Sequence, residues 1–377
     1  MINTVELQQL DRWRSNMKDT LRVVSLFSGI GGFEEGLRLA KIDYEVVFAS
    51  EIDKHAKESY SANFSKENLH GDITAIDEKT IPDHTLLVGG FPCQSFSIAG
   101  LQKGFEDTRG TLFFDVARIL NEKKPKYILL ENVKNLSSHD KTKTIKKILT
   151  TLNELGYTVD FTVINSCEAG VPQNRDRTYI CGIYGGEVEK FVTDKRSTHI
   201  NALKEELNKT DFCGFNFFNK VVYKTKQKYI DSILEHEVEE KYYFDTELIK
   251  EYIESNDKIN DVENHSLKII KLFDLPREVH NDLERQRRVY SSRGISPTVL
   301  ARSDSTKILV EEDGRKRIRK VTPAENFYIQ GFGKKFVSNI ANTGMSATQM
   351  YKQSGNAVSP PVIAGIVKTL LETSIKE

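Results

Sequence analysis

Cys93 is the residue in this chain best placed to react. It stands in Gly89-Gly90-Phe91-Pro92-Cys93-Gln94-Ser95-Phe96-Ser97, directly after the apolar run 85–88. That run reads as a strand, so the glycines and Pro92 turn the chain sharply at the carboxyl edge of a sheet. The thiol is then presented outward instead of packed. A free thiol ionises near pH ~8.5 and needs cationic or dipolar neighbours to become a nucleophile near neutrality. Glu131-Asn132-Val133 follows the apolar run 127–130. A carboxyl group flanked by apolar strand residues can have its pKa raised and can donate a proton. Gln173-Asn174-Arg175-Asp176-Arg177 precedes a further strand. Alternation would point Arg175 and Arg177 the same way, able to fork onto a carboxylate or a base carbonyl. Taken singly, Glu131 reads as a helix cap and the arginines as an ordinary strand end. Together with a presented cysteine they describe one site.

A second group of residues suits a nucleoside ligand. Phe27-Ser28-Gly29-Ile30-Gly31-Gly32-Phe33 lies between a strand and a helix. Glycine there lets the backbone turn tightly and approach a ligand, with helix N-terminal amides facing it. Glu51 ends the next strand, twenty residues after Gly31, where an acid can accept both ribose hydroxyls. Gly71-Asp72-Ile73 would place another acid near an adenine amino group. These features fit NAD, FAD and S-adenosylmethionine alike.

The elements that must position these residues follow one rhythm. Apolar runs at 21–27, 44–50, 85–88, 127–130, 158–164 and 178–183 alternate with helical patterns running to Ala40 and at 53–63, 112–121 and 143–155. Such alternation predicts βαβ crossovers and an α/β, doubly wound, mostly parallel sheet covered on both faces. After Tyr184 the rhythm breaks. Residues 185–288 are polar and weakly periodic, as a smaller irregular lobe would be. A closing apolar helix at 361–371 predicts that the chain returns to the first domain.

Composition narrows the class. Apolar residues make up 38% and charged residues 29% of 377, as in a globular protein. No apolar run approaches the ~20 residues that cross a bilayer, so the expectation is a cytoplasmic chain with no membrane partner. The four cysteines lie far apart, which predicts no zinc site and no disulfide, and no other metal is expected. With 54 basic and 54 acidic residues the net charge is zero, unlike most nucleic-acid binders. The balance is uneven, however. Residues 285–320 carry eleven Lys or Arg against four Asp or Glu, a local excess able to attract phosphate.

In order along the chain, Phe-x-Gly-x-Gly-Gly, Gly-Phe-Pro-Cys-Gln-x-Phe-Ser, Glu-Asn-Val, Gln-x-Arg-x-Arg and Gln353-Ser354-Gly355-Asn356-Ala357-Val358 resemble the DNA (cytosine-5) methyltransferase family. The resemblance covers about 23–184 and 288–362 and implies the Rossmann-like fold of S-adenosylmethionine-dependent methyltransferases. It implies that Cys93 adds to cytosine C6 while Glu131 protonates or hydrogen-bonds N3. Arg177 would orient Glu131 and contact the base carbonyl, with Arg175 close to the thiol. Phe27, Gly29, Ile30, Gly31, Glu51, Ile52, Asp72, Ile73, Pro92, Leu112, Asn356 and Val358 match donor-binding positions. The target base must be flipped out of a DNA duplex to expose its ring faces, with 94–110 as the loop that closes over it. Gln94 and Ser97 of that loop would meet DNA. Ala99 departs from the small polar residue that some relatives carry there.

Arg288-Val289-Tyr290-Ser291-Ser292-Arg293-Gly294 resembles a stretch that lies along the major groove. There Arg285, Arg287, Arg288 and Arg293 are candidates to read guanine bidentately or to bind phosphate. The implied organisation is 1–188 for catalysis and donor binding, 189–345 for target recognition and hinge, and 346–377 returning to the catalytic domain. A monomer is expected, with double-stranded DNA as substrate and a cognate restriction endonuclease as a genetic partner. Three other readings compete. A cytosine-5 methyltransferase acting on tRNA would share nearly every catalytic motif, but the insert at 185–287 favours a groove-reading surface. A nicotinamide dehydrogenase leaves Cys93, Glu131 and the arginine pair without a task. A catalytically silent regulator leaves the whole catalytic set unexplained.

Overall fold

The structure, a computed structural model, describes residues 20–92, 112–193, 197–223, 225–244, 246–255 and 264–373. Cys93, Gln94 and Ser97 lie outside the described residues.

The strands form where the apolar runs predict them: β1 (Leu21–Leu26), β2 (Tyr44–Ser50), β3 (Leu69–His70), β4 (Leu86–Gly89), β5 (Tyr127–Val133), β6 (Tyr157–Asn165), β7 (Gln173–Asn174) and β8 (Asp176–Tyr184). Seven of them make one sheet in the order β3-β2-β1-β4-β5-β8-β6. β1 to β5 run parallel, and β8 lies antiparallel between β5 and β6. Helices α1 (Gly32–Leu39), α2 (Lys54–Ser61), α3 (Leu112–Lys123) and α4 (Lys143–Glu154) make the crossovers. Successive side chains of a strand point to opposite faces. On β1, Val24 and Leu26 accordingly pack with α3 and α4, while Leu21 and Val23 pack with α1. A strand buried on both faces reads as a near-continuous apolar run, as at Val23–Val24 of β1, 86–88 of β4 and 127–130 of β5. The strand order reverses between β1 and β4, so a crevice opens there at their carboxyl ends.

The chain does not leave this body where its periodicity fades. Helix α5 (Thr198–Leu207) buries Ile200, Leu203 and Leu207 in the same cluster as Phe161 of β6 and Phe191. Lys204 Nζ lies 2.6 Å from Asp160 Oδ1, both nearly solvent-free. The other Asp160 oxygen accepts the amides of Phe217 and Phe218. Residues through Val221 thus cover the sheet, although the sequence periodicity breaks after Tyr184.

Beyond them, β9 (Lys271–Asp274), β10 (Arg288–Ser291), β12 (Lys307–Glu312) and β13 (Arg315–Lys320) form a second sheet in the order β13-β12-β10-β9, while β11 (Ser296–Pro297) pairs with β7. Helix α6 (Glu247–Glu254) covers the second sheet with Ile249 and Ile253. Asp313 and Gly314 turn the β12–β13 hairpin with φ of 50° and 72°, a pairing that Asp-Gly favours. Short helix α7 (Glu284–Arg287) precedes β10, and α8 (Pro323–Gln330), α9 (Lys334–Ala341), α10 (Ala347–Asn356) and α11 (Pro360–Thr373) end the chain. Phe327, Phe336 and Ile340 of α8 and α9 pack with Ile30 and Ala56 of the first body, and Val362, Ile363 and Ile366 of α11 pack beneath β1 and α1.

Candidate active site

At the reversal of strand order lies a cavity of ≈ 790 Å³, within the range that holds small-molecule ligands. Its walls come from the carboxyl ends of β1, β2, β4 and β5 and from the C-terminal segment. Phe27, Gly29, Ile30, Glu51, Ile52, Asp72, Ile73, Pro92, Leu112, Asn356 and Val358 all line it. Gly31 does not. With φ of 90° it caps α1, and a Cβ there would sit 2.2 Å from the Phe64 ring, so it shapes the turn from behind. Phe27 also takes a left-handed φ of 54°, a conformation that costs a non-glycine residue about 1–3 kcal/mol and gathers at functional sites.

Glu51 is held before any ligand arrives. Its Oε2 accepts the Gly29 amide and its Oε1 the Asp53 amide, each at 2.8 Å. Each oxygen keeps lone pairs free, so an incoming diol meets a carboxylate already fixed in place. The neighbouring Ile52 is 74% exposed, an apolar surface on the cavity wall that a flat ring could cover. Asp72 accepts the amide and hydroxyl of Thr74, which fixes its side chain at the rim.

The other end of the cavity is the reactive one. Glu131 Oε1 lies 3.1 Å from Arg177 Nε, with 12% and 16% of the two side chains exposed. Burial holds the Glu131 carboxyl above the usual carboxylate range, and the charges of Arg177 and then Arg175 pull it back only in part. A Cβ on Gly90 would meet Glu131 Oε2 at 3.5 Å, so the turn leading toward Cys93 runs beside the carboxylate. Asn132 Nδ2 donates to the Phe91 carbonyl at 2.7 Å and ties that turn to β5. Sequence reasoning gave Asn132 no task; its signal was a polar residue on an otherwise apolar strand end.

Arg175 lies in the break between β7 and β8, not in register with Arg177. Its Nη2 donates to the carbonyls of Gly355 and Ala357 at 3.0 and 2.9 Å, and its Nη1 to that of Val299 at 3.5 Å. The pair therefore does not fork together onto one acceptor. Burial, then the Arg177 charge, pushes the Arg175 guanidinium down to about 9, still cationic at neutral pH. Lys352, also unforeseen, lines the cavity and reaches Asp53 Oδ2 at 2.7 Å, joining α10 to the cap of α2.

The four candidate DNA-reading arginines differ in their surroundings. Arg285 and Arg288 line a small second cavity of ≈ 40 Å³ with Gln286, Thr298 and Lys307. Arg288 also pairs with Glu284 at 3.0 Å. Arg287 is half-buried and donates to the Leu275 carbonyl at 2.7 Å, bracing its own loop. Arg293 is exposed. Among the described residues, no three His, Cys, Asp or Glu gather to hold a metal ion, and no helix is long and apolar enough to cross a membrane.

A doubly wound sheet with a cavity at its switch point, an acid fixed by two backbone amides and a buried carboxylate–guanidinium pair mark an α/β enzyme with its ligand site at the carboxyl edge of the sheet. The chain belongs to the C-5 cytosine-specific DNA methylase family, whose model it matches over residues 21–372. It is similar to the type II methyltransferase M1.ScrFI of Lactococcus lactis subsp. cremoris, with 40% identity over 93% of this chain and 78% of that one. Similarity to the type II methyltransferase M.SsoII of Shigella sonnei is 39%, over 95% and 82% of the two chains. In fold it resembles the Entamoeba histolytica methyltransferase EhMeth, with a TM-score of 0.65 at 20% identity over 96% and 100% of the chains. The protein is thus a DNA (cytosine-5) methyltransferase, and S-adenosylmethionine is the methyl donor its family implies.

Proposed function

We propose that the large cavity binds S-adenosylmethionine and that the protein methylates carbon 5 of a flipped cytosine in a specific duplex sequence, with Cys93 as covalent nucleophile. The observation that carries this assignment of roles is the buried Glu131–Arg177 pair beside the turn that leads to Cys93. The cavity fits the donor: Glu51 is oriented for a diol, Ile52 offers an apolar face, and Asp72 stands at the rim. When bound, the donor supplies an electrophilic methyl group on a sulfonium. Cys93 adds as thiolate to C6, and Glu131, kept protonatable by burial, gives or shares a proton at N3. The ring's electron pair is thereby directed to C5. Arg177 holds the Glu131 carboxyl in line and reaches toward the base carbonyl. Once C5 carries its methyl group and loses its proton, the C6–S bond breaks by β-elimination and Cys93 leaves as thiolate.

Sequence specificity, on this reading, belongs to the lobe around the second sheet, within 189–345, while 346–377 completes the donor site. Similarity to enzymes named as type II methyltransferases supports a role in protecting DNA alongside a restriction endonuclease. We assign the chain monomeric action on double-stranded DNA. The test of the covalent step uses a duplex with 5-fluorocytosine at the target, where fluorine cannot leave as a proton does. A stable protein–DNA adduct should accumulate with S-adenosylmethionine present. No adduct with wild-type protein, on a duplex it demonstrably methylates, contradicts attack by Cys93.

A further inference from the structure

Arg175 does not behave as a group reserved for the base. Buried at 2% exposure, it grips three backbone carbonyls from two distant stretches of chain. Gly355 and Ala357 flank Asn356 in the donor-cavity wall. Val299 belongs to the segment that follows β11, whose Thr298 and Leu300 line the second cavity with Arg285 and Arg288. Around this grip the two stretches are tied together by the side chains of Gln173 and Gln330. The Val299 amide donates to Gln173 Oε1 at 3.0 Å, and Gln173 Nε2 reaches Gln330 Oε1 at 2.7 Å. Gln330 in turn donates to the Ser354 carbonyl at 2.7 Å. A Cβ on Gly355 would lie 2.3 Å from the Ala301 amide nitrogen, so the 300–301 backbone rests directly on the donor-cavity wall. Glu131, meanwhile, feels the Arg175 charge across the same cavity.

Resting on the functional reading above, we propose that Arg175 and Gln173 are positioning residues that couple DNA engagement by the 296–301 segment to the shape of the donor cavity. A shift of that segment on meeting DNA moves the Val299 carbonyl and the Gly355 backbone together, because one guanidinium fork holds both. Lysine cannot substitute: its single ammonium is a compact point charge without the planar fork that spans separated acceptors. Gln173→Met keeps the side-chain length but removes both of its hydrogen-bonding ends.

The test measures S-adenosylhomocysteine affinity by calorimetry, without DNA and with a duplex carrying the sequence that the wild type methylates. The wild type should bind more tightly with the duplex by about fivefold or more, within the usual span of coupling between sites. Arg175→Lys and Gln173→Met, each checked for a cooperative melting transition, should reduce that gain to below about twofold. Variants that keep the full gain overturn the inference. So does an Arg175→Lys enzyme whose single-turnover rate collapses while the gain stays intact, because Arg175 then acts on the base. A wild type that binds S-adenosylhomocysteine without any gain also overturns it and leaves the functional reading standing. A wild type that binds none overturns both.

Discussion

Two carboxyl groups show how differently one residue type can be used. Glu51 is fixed by two backbone amides and keeps its lone pairs toward the cavity. Glu51→Ala should weaken S-adenosylmethionine binding by about 1.5–3 kcal/mol, the range for a charged hydrogen-bonding partner, and calorimetry with unchanged affinity would remove it from the site. Glu34, by contrast, is sealed on the buried face of α1, where burial raises its pKa against the hydrogen bond from the Tyr60 hydroxyl. In the unfolded chain a glutamate ionises near ~4.3. Below that pH Glu34 is protonated in both states and costs nothing. As pH rises toward the folded-state value the unfolded chain loses its proton first, and stability falls. Glu34→Gln, which cannot ionise, should therefore gain in Tm relative to wild type across the window that opens as pH rises above the unfolded value of ~4.3. Parallel melting curves across that window would show that Glu34 is not a buried, proton-holding acid. Glu51 and Glu131 were both legible as candidate acids, because each ends an apolar run, whereas the pairing of Glu131 with Arg177 was implied only by the family resemblance. Glu34 was not, since an acid inside an otherwise amphipathic helix looks like a solvated face until the helix is docked.

Elements were legible in proportion to how far their apolar pattern was local. β2 forms at 44–50 as its run predicts, and α4 ends one residue short of the expected 155. The antiparallel direction of β8 left no trace, because hydrophobic alternation carries no strand polarity. Helix α5 was missed because Ile200, Leu203 and Leu207 are interspersed with charges, one of which, Lys204, is itself buried against Asp160. Helix α8 shows the opposite case. Thr322, Pro323 and Glu325 form a start signal written in the sequence: Thr322 Oγ1 accepts the Glu325 amide, and Glu325 Oε2 accepts that of Thr322. Glu325 also holds Arg319 of β13 through two hydrogen bonds in a fully buried pair, so this cap anchors the second sheet to the last helices. Thr322→Ala should lower unfolding free energy by about 1–2 kcal/mol in urea titrations, the upper part of the range for a lost cap. A change near zero would mean that Glu325 alone secures the helix start.

For the whole molecule, the proposed division between chemistry and recognition rests in the sequence only on a loss of pattern after Tyr184. Which arginines have side chains free of a structural task, and so suit the proposed DNA contacts, required the fold. Arg287 braces Leu275, whereas Arg285 is exposed at the edge of the second cavity. Arg285→Ala should relax the methylated motif at one position, since a bidentate arginine–guanine contact discriminates by ~1–3 kcal/mol. Arg287→Ala should lower stability and leave the motif unchanged. An altered motif in Arg287→Ala, or an unaltered one in Arg285→Ala, would reverse these assignments. The account stands most directly on bisulfite sequencing of DNA from cells that express either the wild type or Cys93→Ala. The wild type should protect cytosines at one fixed position within one recurring sequence, and Cys93→Ala should protect none. Protected cytosines in the Cys93→Ala cells, or protection scattered without a shared sequence in the wild type, would contradict it.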